Sequence, residues 1–324
     1  MNLFRTFALI STGLAACGLF YSCSNSANQP KNNNNNTPNV PDKNSTNNDT
    51  TSVFDKYSTK IDGVIDEFRQ GATGDCWLLS ELNSLSHKPW GKNIIKNAIK
   101  PDCEGGATVT IFENEFEQKQ FRVKSEEITS IRNKQKHCKN IEDYEYSTGD
   151  ADVLAFEIAF EKYFNTKGDF IDALKMKDRS LADVVKLLTG NSERVTFKAP
   201  NESSYIVDNY MQLLDVIEKE PNKYVMTVGF KEGNNAGLMD NHAYELKEIQ
   251  NAKCGHKIVI LIDPHNSRKE IKIDYYTFLN SMKHIKFNAN SGESIKDCEQ
   301  LYYEDFKEKV AKHRDNLEHS ACKI

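Results

Sequence analysis

Apolar residues recur at helical spacing in the first half of the chain. The pattern predicts a helix that begins at Cys76 and continues through residues 77–85, with Leu78, Leu82 and Leu85 on one face. It predicts a second short helix at 92–99 and an amphipathic helix at 151–165. A further helix is expected over 180–188, opened by Ser180 and closed by Gly190, and the stretch 211–218 is also typical of a helix.

Alternating apolar and polar residues indicate strands elsewhere, mostly in the second half. Residues 107–112 and 120–123 predict a hairpin, and residues 224–229, 243–248 and 257–263 predict three later strands. A helix-rich first half followed by antiparallel strands predicts an α+β fold.

The first 52 residues differ in composition from the rest. Residues 1–22 combine a basic start with an apolar, small-residue stretch, which is typical of a secretory signal peptide and too short for a stable membrane span. The signal ends near two cysteines, Cys17 and Cys23, either of which fits a bacterial lipidation site, and the polar sequence after Cys23 favours that residue. Residues 23–52 form an Asn-rich linker that lacks the apolar surface to fold. We therefore expect an exported protein, lipid-anchored at a bacterial membrane or secreted, with its folded domain at 53–324.

Composition narrows the class of partner. The hydrophobic fraction of 38% is sufficient for a core, and the net charge of −5 is mild. Basic residues are scattered rather than clustered among aromatics, so we expect no nucleic-acid partner.

The sequence around Cys76 combines features that thiol chemistry requires. The residues leading into the predicted helix run Gln70-Gly71-Ala72-Thr73-Gly74-Asp75-Cys76-Trp77. A thiol in the first turn of a helix lies near unpaired N–H groups and the positive end of the dipole, which favour the thiolate. The same N–H groups can hold an oxyanion, with the amide of Gln70 as a second donor.

A base and an orienting group are predicted from the spacing of the later strands. If 243–248 and 257–263 form a hairpin, paired residues have numbers that sum to about 505, which sets His242 opposite Asp263. A carboxylate beside an imidazole fixes its tautomer and stabilises its charged form. His87 lies at the far end of the Cys76 helix, and five further histidines are expected at the surface, namely His137, His256, His284, His313 and His319.

Four segments together resemble the calpain-like cysteine peptidases. The Gln70–Trp77 string is similar to the family's active-site cysteine motif, and a weaker likeness covers 152–164 and 187–190. The stretch Gly237-Leu238-Met239-Asp240-Asn241-His242-Ala243-Tyr244 resembles the catalytic-histidine segment. The resemblance implies a papain-like fold of two lobes, with a helix-rich N-terminal lobe and an antiparallel β C-terminal lobe.

The chain departs from the family at the end of the predicted strand 257–263. Where the family presents Asn-Pro-Trp, this chain has Asp263-Pro264-His265-Asn266. Asp263 matches the position of the catalytic Asn, His265 replaces an apolar shield, and Asn266 is an alternative orienting residue. The resemblance thus implies a cysteine endopeptidase acting on proteins or peptides, with Cys76, His242, Asp263 and Gln70 as its catalytic residues.

Several alternatives stay open. Acyl transfer of the transglutaminase type uses the same residue types, and a silent peptidase fold used for surface binding is the rival from another class. Calcium is left open as a cofactor, because no Asp-x-Asp-x-Asp-Gly loop is present but acidic loops such as the one at Asp240 could bind an ion. Export permits disulfides, and the suggested pairs are Cys103–Cys138 and Cys254–Cys298, with Cys322 free. Zinc at Cys254 and His256 is not expected, because a second ligand pair is missing.

Overall fold

The computed structural model describes residues 60–138, 144–166, 183–198, 215, 217–252 and 256–289. The predicted signal peptide, both lipidation candidates and the Asn-rich linker lie outside the described residues. So do Ser180, most of the predicted helix at 211–218, and Cys254, Cys298 and Cys322.

Helices and antiparallel sheets share the described chain, which confirms the α+β class. The helices are α1 (Cys76–Ser86), α2 (Pro89–Ala98), α3 (Ser125–His137), α4 (Ala151–Thr166), α5 (Val184–Thr189) and α6 (Tyr275–Ser281). The strands before residue 150 are β1 (Phe68–Arg69), β2 (Ile99–Pro101), β3 (Ala107–Phe112), β4 (Gln118–Val123) and β5 (Thr148–Gly149). The later strands are β6 (Glu193–Lys198), β7 (Tyr224–Phe230), β8 (Ala243–Asn251), β9 (Lys257–Ile262), β10 (Glu270–Asp274) and β11 (Met282–Ala289).

Two hydrophobic cores organise these elements. One lies among α1, α2, α4 and the three-stranded sheet β2-β3-β4, in which the predicted β3–β4 hairpin places Ala107 opposite Val123. The other lies on the six-stranded sheet, whose order is β10-β9-β8-β7-β11-β6 and whose neighbours are all antiparallel.

Helix α1 packs against both regions and is therefore buried nearly all round. Its apolar residues belong to the first core, while its polar side chains meet β7 and β8. Ser84 Oγ accepts a hydrogen bond from the N–H of Met226 at 3.1 Å, and Asn83 Nδ2 donates to Glu245 at 2.6 Å. These contacts fix the helix that begins at Cys76 against strands β7 and β8, the second of which begins after His242.

Some elements differ from the predictions. Helix α5 begins at Val184, capped by Asp183, whose carboxylate accepts from the N–H of Lys186 at 2.9 Å, and it ends at Gly190 with φ 80° as expected. Helix α3 was not predicted, because it is largely polar and buries only Ile128 and Gln135. The β8–β9 register is wrong in the prediction by two residues, since Leu246 pairs with Leu261, and a bulge follows before Glu248.

The predicted Cys103–Cys138 disulfide is wrong, because Cys103 is a free thiol in the structure. Cys103 is exposed, and Cys138 follows α3, where its thiol donates to the carbonyl of Lys134 at 3.5 Å. Within the described ranges, every helix is either too short or too polar to cross a bilayer.

Candidate active site

Cys76 is the first residue of α1. Asp75 occupies the N-cap position, and its carbonyl accepts from the N–H groups of Leu78 at 2.8 Å and Leu79 at 3.1 Å. The thiol therefore lies in the first turn, where N–H groups have no partner within the helix. Cys76 is partly exposed, whereas the ten helical residues that follow it are buried.

The loop before Cys76 lies directly on the backbone of residues 144–146. The N–H of Ala72 donates to the carbonyl of Tyr144 at 2.6 Å, and the N–H of Thr73 donates to that of Glu145 at 3.1 Å. A Cβ on Gly71 would lie 2.5 Å from the carbonyl oxygens of Tyr144 and Tyr146. Glycine is therefore required at position 71 by close backbone approach.

His242 and Asp263 lie side by side, as predicted, although they are not paired in the ladder. Strand β8 begins just after His242 and β9 ends just before Asp263, and His242 Nε2 lies 2.9 Å from Asp263 Oδ1. His242 is buried, with the ring of Tyr244 edge-on at 4.8 Å between centroids. Burial alone would raise the pKa of Asp263, but hydrogen bonds from His242 and His265 outweigh it and hold that pKa well below its ordinary value.

His265 covers the His242 ring. The two imidazoles stack with centroids 4.7 Å apart and an interplanar angle of 29°. His265 Nδ1 and the backbone N–H of His265 each lie 2.9 Å from Asp263 Oδ1, so Asp263 also caps the 3-10 turn Pro264–Asn266. The alternative orienting residue, Asn266, enters this arrangement through its backbone N–H, which donates to the carbonyl of Asp263 at 2.8 Å. The geometry favours Asp263 over Asn266 as the partner of His242.

The turn that carries Asp263 is hydrogen-bonded to the chain that leads to Cys76. The N–H of Gln70 donates to the carbonyl of Pro264 at 2.8 Å, and Phe68 exchanges hydrogen bonds with Ser267 through its N–H at 2.9 Å and its carbonyl at 3.2 Å. These bonds couple the position of Asp263 to that of the Cys76 loop.

The Cys76 thiol meets the start of β8 through the N–H of Ala243, the residue after His242. Burial raises the pKa of the thiol to about 11, and the negative charges of Asp75 and Asp263 add to this effect. Hydrogen bonds from the N–H groups of Ala243 and Trp77 act in the opposite direction. The predicted preference for the thiolate is therefore reversed in the resting structure, which favours the neutral thiol.

Gln70 is buried in the loop rather than directed outward. Its Nε2 donates to the carbonyl of Thr73 at 2.8 Å and to Asp75 Oδ1 at 3.2 Å. Both amide hydrogens are thus engaged inside the loop, and the oxyanion role of Gln70 stays a prediction.

Beside Cys76 lies a carboxyl pair that the sequence analysis missed. Asp75 and Glu157 are both fully buried and hydrogen-bonded to each other, and both oxygens of Glu157 accept from the N–H of Ser147 at 3.1 Å. Burial raises the pKa of Asp75 to about 6 and raises that of Glu157 well above its ordinary value. A glutamate in the apolar run Phe156-Glu157-Ile158-Ala159-Phe160 is the signal that could have revealed the pair.

The remaining predicted features occupy other places. His87 Nδ1 lies 2.8 Å from Glu245 at the far end of α1, and His284 lies half-buried in β11 rather than at the surface. Asp240 holds its own loop together, since it accepts from the N–H of Gly233 at 3.1 Å and from Asn234 Nδ2 at 3.2 Å.

No family model matches the chain, and no curated protein matches it either.

Proposed function

We propose that this protein is a cysteine endopeptidase of the calpain-like, papain-fold type, in which Cys76 is the nucleophile, His242 the base and Asp263 the orienting residue. The observation that carries the proposal is the contact of 2.9 Å between His242 Nε2 and Asp263 Oδ1. It lies beside Cys76, which is the first residue of its helix and accepts a hydrogen bond from the N–H of Ala243. The two hydrophobic cores, with α1 packed on the large sheet, support a two-lobed arrangement.

In the proposed mechanism the two ring nitrogens of His242 have different tasks. Because Nε2 is bonded to Asp263, Nδ1 is the nitrogen that receives the thiol proton. The neutral thiol of the resting state then becomes a nucleophile as its proton moves to Nδ1 and its sulfur bonds to a peptide carbonyl carbon. The charge of the resulting imidazolium is stabilised by Asp263.

The rest of the cycle follows from the same groups. The His242 imidazolium gives its proton to the departing amine, and a water activated by neutral His242 then cleaves the thioester, releasing the acid and restoring the thiol. N–H groups of the first turn of α1 would bind the oxyanion, and Gln70 would join them only if its amide left Thr73 and Asp75. Peptide or protein chains are the proposed substrates.

Export and anchoring remain part of the proposal. The apolar segment 1–22, the cysteines Cys17 and Cys23, and the linker 23–52 support an exported enzyme tethered to a bacterial envelope. Metabolic labelling of the full chain with a fatty acid, compared with Cys23→Ser and Cys17→Ser variants, tests which cysteine carries a lipid. Labelling that persists when both cysteines are replaced would contradict an anchor at Cys17 or Cys23.

An epoxide directed at thiol peptidases tests the active site. The full chain is treated with the epoxide, with calcium and with a chelator, and modified peptides are mapped by mass spectrometry beside a Cys76→Ala variant. Cys103 is an internal control, because it is free and exposed but has no histidine partner in this arrangement. Modification confined to Cys76 is expected, and equal or preferred modification of Cys103 would contradict an activated Cys76.

A second assay separates the alternatives. Peptide cleavage is measured with and without an added primary amine. Hydrolysis that the amine does not divert supports the peptidase, and amine incorporation supports acyl transfer. An epoxide-resistant Cys76 without turnover would leave the surface-binding alternative.

A further inference from the structure

Three metal-binding side chains converge at the proposed catalytic base. The donor atoms of His242, Asp263 and His265 all lie within 4.8 Å of one another, and both imidazole contacts meet the same carboxylate oxygen at 2.9 Å. The mechanism proposed above uses His242 and Asp263 but assigns no chemistry to the imidazole of His265. The imidazole of His265 is therefore a possible metal ligand beside His242 and Asp263 that has no role in the proposed catalysis.

The donor set is one that zinc prefers. Two imidazole nitrogens and one carboxylate suit a borderline-soft ion, whereas calcium takes six to eight oxygens. Donors on a tetrahedral zinc at about 2.1 Å lie about 3.4 Å apart, so the two imidazole nitrogens must close by at most about 1.4 Å while their two 2.9 Å contacts to Asp263 open by about 0.5 Å. The side chain of His265 is 38% exposed and can make this movement, while that of His242 is 6% exposed and held in place.

The surroundings hold the ligands in position. The carboxylate of Asp263 accepts a hydrogen bond of 2.9 Å from the N–H of His265. In the turn that follows, the carbonyl of Pro264 accepts a hydrogen bond from the N–H of Gln70. Supporting contacts of this kind orient metal ligands and strengthen binding.

We propose that His242, Asp263 and His265 form a zinc site and that zinc bound there switches the enzyme off. Zinc on Nε2 of His242 forces the remaining ring proton onto Nδ1. The base then has no lone pair for the proton of Cys76, and the thiol stays neutral. The switching-off depends on the proposed function, whereas zinc binding itself does not.

Calorimetric titration of the full chain with zinc chloride tests the binding. It is carried out in a Cys76→Ser background so that the thiol cannot serve as the ligand. One zinc per chain is expected, with the dissociation constant raised at least about tenfold by His265→Phe and by the smaller His265→Asn. His87→Phe is the matched control, because His87 also contacts a carboxylate at 2.8 Å, and its affinity should stay within about twofold of the parent. Zinc affinity unchanged in both His265 variants would overturn the site.

Epoxide modification of chains that retain Cys76 tests the consequence. The rate with zinc is divided by the rate without zinc for each protein, so that any change in basal reactivity cancels. Zinc should slow the parent at least about tenfold and leave the ratio near one in His265→Phe. If zinc binds through His265 but leaves the parent rate unchanged, the switch is wrong. If Cys76 reacts in neither condition, the proposed peptidase fails while the calorimetric result still decides the zinc site.

Discussion

Replacing Glu157 by Gln should change how the stability of this protein depends on pH. Asp75 Oδ2 is buried without a donor from any other described group, and the Asp75 carboxyl is hydrogen-bonded to that of Glu157. A proton shared between the two carboxyls would give this pair the donor it needs. In Glu157→Gln the amide nitrogen donates to Asp75 instead, while the amide oxygen still accepts from the N–H of Ser147.

The size of the effect follows from the extra proton. The pKa of Asp75 is raised from 3.8 to about 6, and that of Glu157 is also raised, so the native state binds more protons than the unfolded chain above pH 4. This contribution is fully present below pH 4 and is lost as pH rises through the folded-state values. One extra proton makes the free energy of unfolding fall by about 1.4 kcal/mol for each pH unit. From pH 5 to pH 7 the wild type should therefore lose between about 1.4 kcal/mol, if the extra proton leaves near pH 6, and about 3 kcal/mol, if it is held throughout, relative to Glu157→Gln.

Urea unfolding of the full chain at pH 5, 6 and 7, followed by tryptophan fluorescence, measures this difference. Asp150 and Asp152, whose pKa values burial raises to about 7 and about 6, titrate in both proteins and cancel from it. Glu126→Gln, on the exposed side of α3, is the control and should stay parallel to the wild type. A wild-type minus Glu157→Gln difference that is constant from pH 5 to 7 would refute the shared proton.

Three further comparisons test the surrounding geometry. Gly71→Ala should destabilise the chain by about 3 kcal/mol in urea unfolding, because the new Cβ would lie 2.5 Å from two carbonyl oxygens. Gly233→Ala is the control and should cost only about 1 kcal/mol, because its Cβ would meet no atom within 4 Å although the backbone φ is 64°. Ser84→Ala leaves the buried N–H of Met226 without its acceptor and should cost about 1–3 kcal/mol in the same assay, and a cost below about 0.5 kcal/mol would contradict the bond. Asp263→Asn keeps an oxygen for the histidine whereas Asp263→Ala does not, so epoxide modification of the active-site thiol should be at least about tenfold slower in the Ala variant, and equal rates would exclude an orienting role.

The sequence predicted elements whose apolar residues follow a clear period. Helices α1, α2 and α4 and strands β7, β8 and β9 were found within a few residues of the predicted bounds. Such segments are predictable because one period decides which face is buried. Helix α3 escaped because its stability comes from few buried residues, and a polar helix of this kind carries a weak pattern.

The contact between His242 and Asp263 was predicted from a register that was wrong by two residues. The contact survives the error because both residues lie just outside the ladder, where side chains are not fixed by strand pairing. The bulge after Leu246 depends on packing and could not be read from the alternation. Contacts between distant segments, such as the one between Asp75 and Glu157, carry no local signal beyond a charge in an apolar run.

In the mechanism proposed above, the charges around Cys76 explain how a neutral thiol could still serve as a nucleophile. The negative charges of Asp75 and Asp263 both disfavour the thiolate, but the two carboxyl groups have different hydrogen-bond partners. Asp263 is kept ionised by His242 and His265, and its charge is useful because it stabilises the imidazolium once the thiol proton has moved. The charge of Asp75 has no such role. A proton shared with Glu157 neutralises part of this charge, which lies next to the Cys76 sulfur. The buried pair thus lowers the cost of forming the thiolate, which in the proposed mechanism happens when the thiol proton moves to His242.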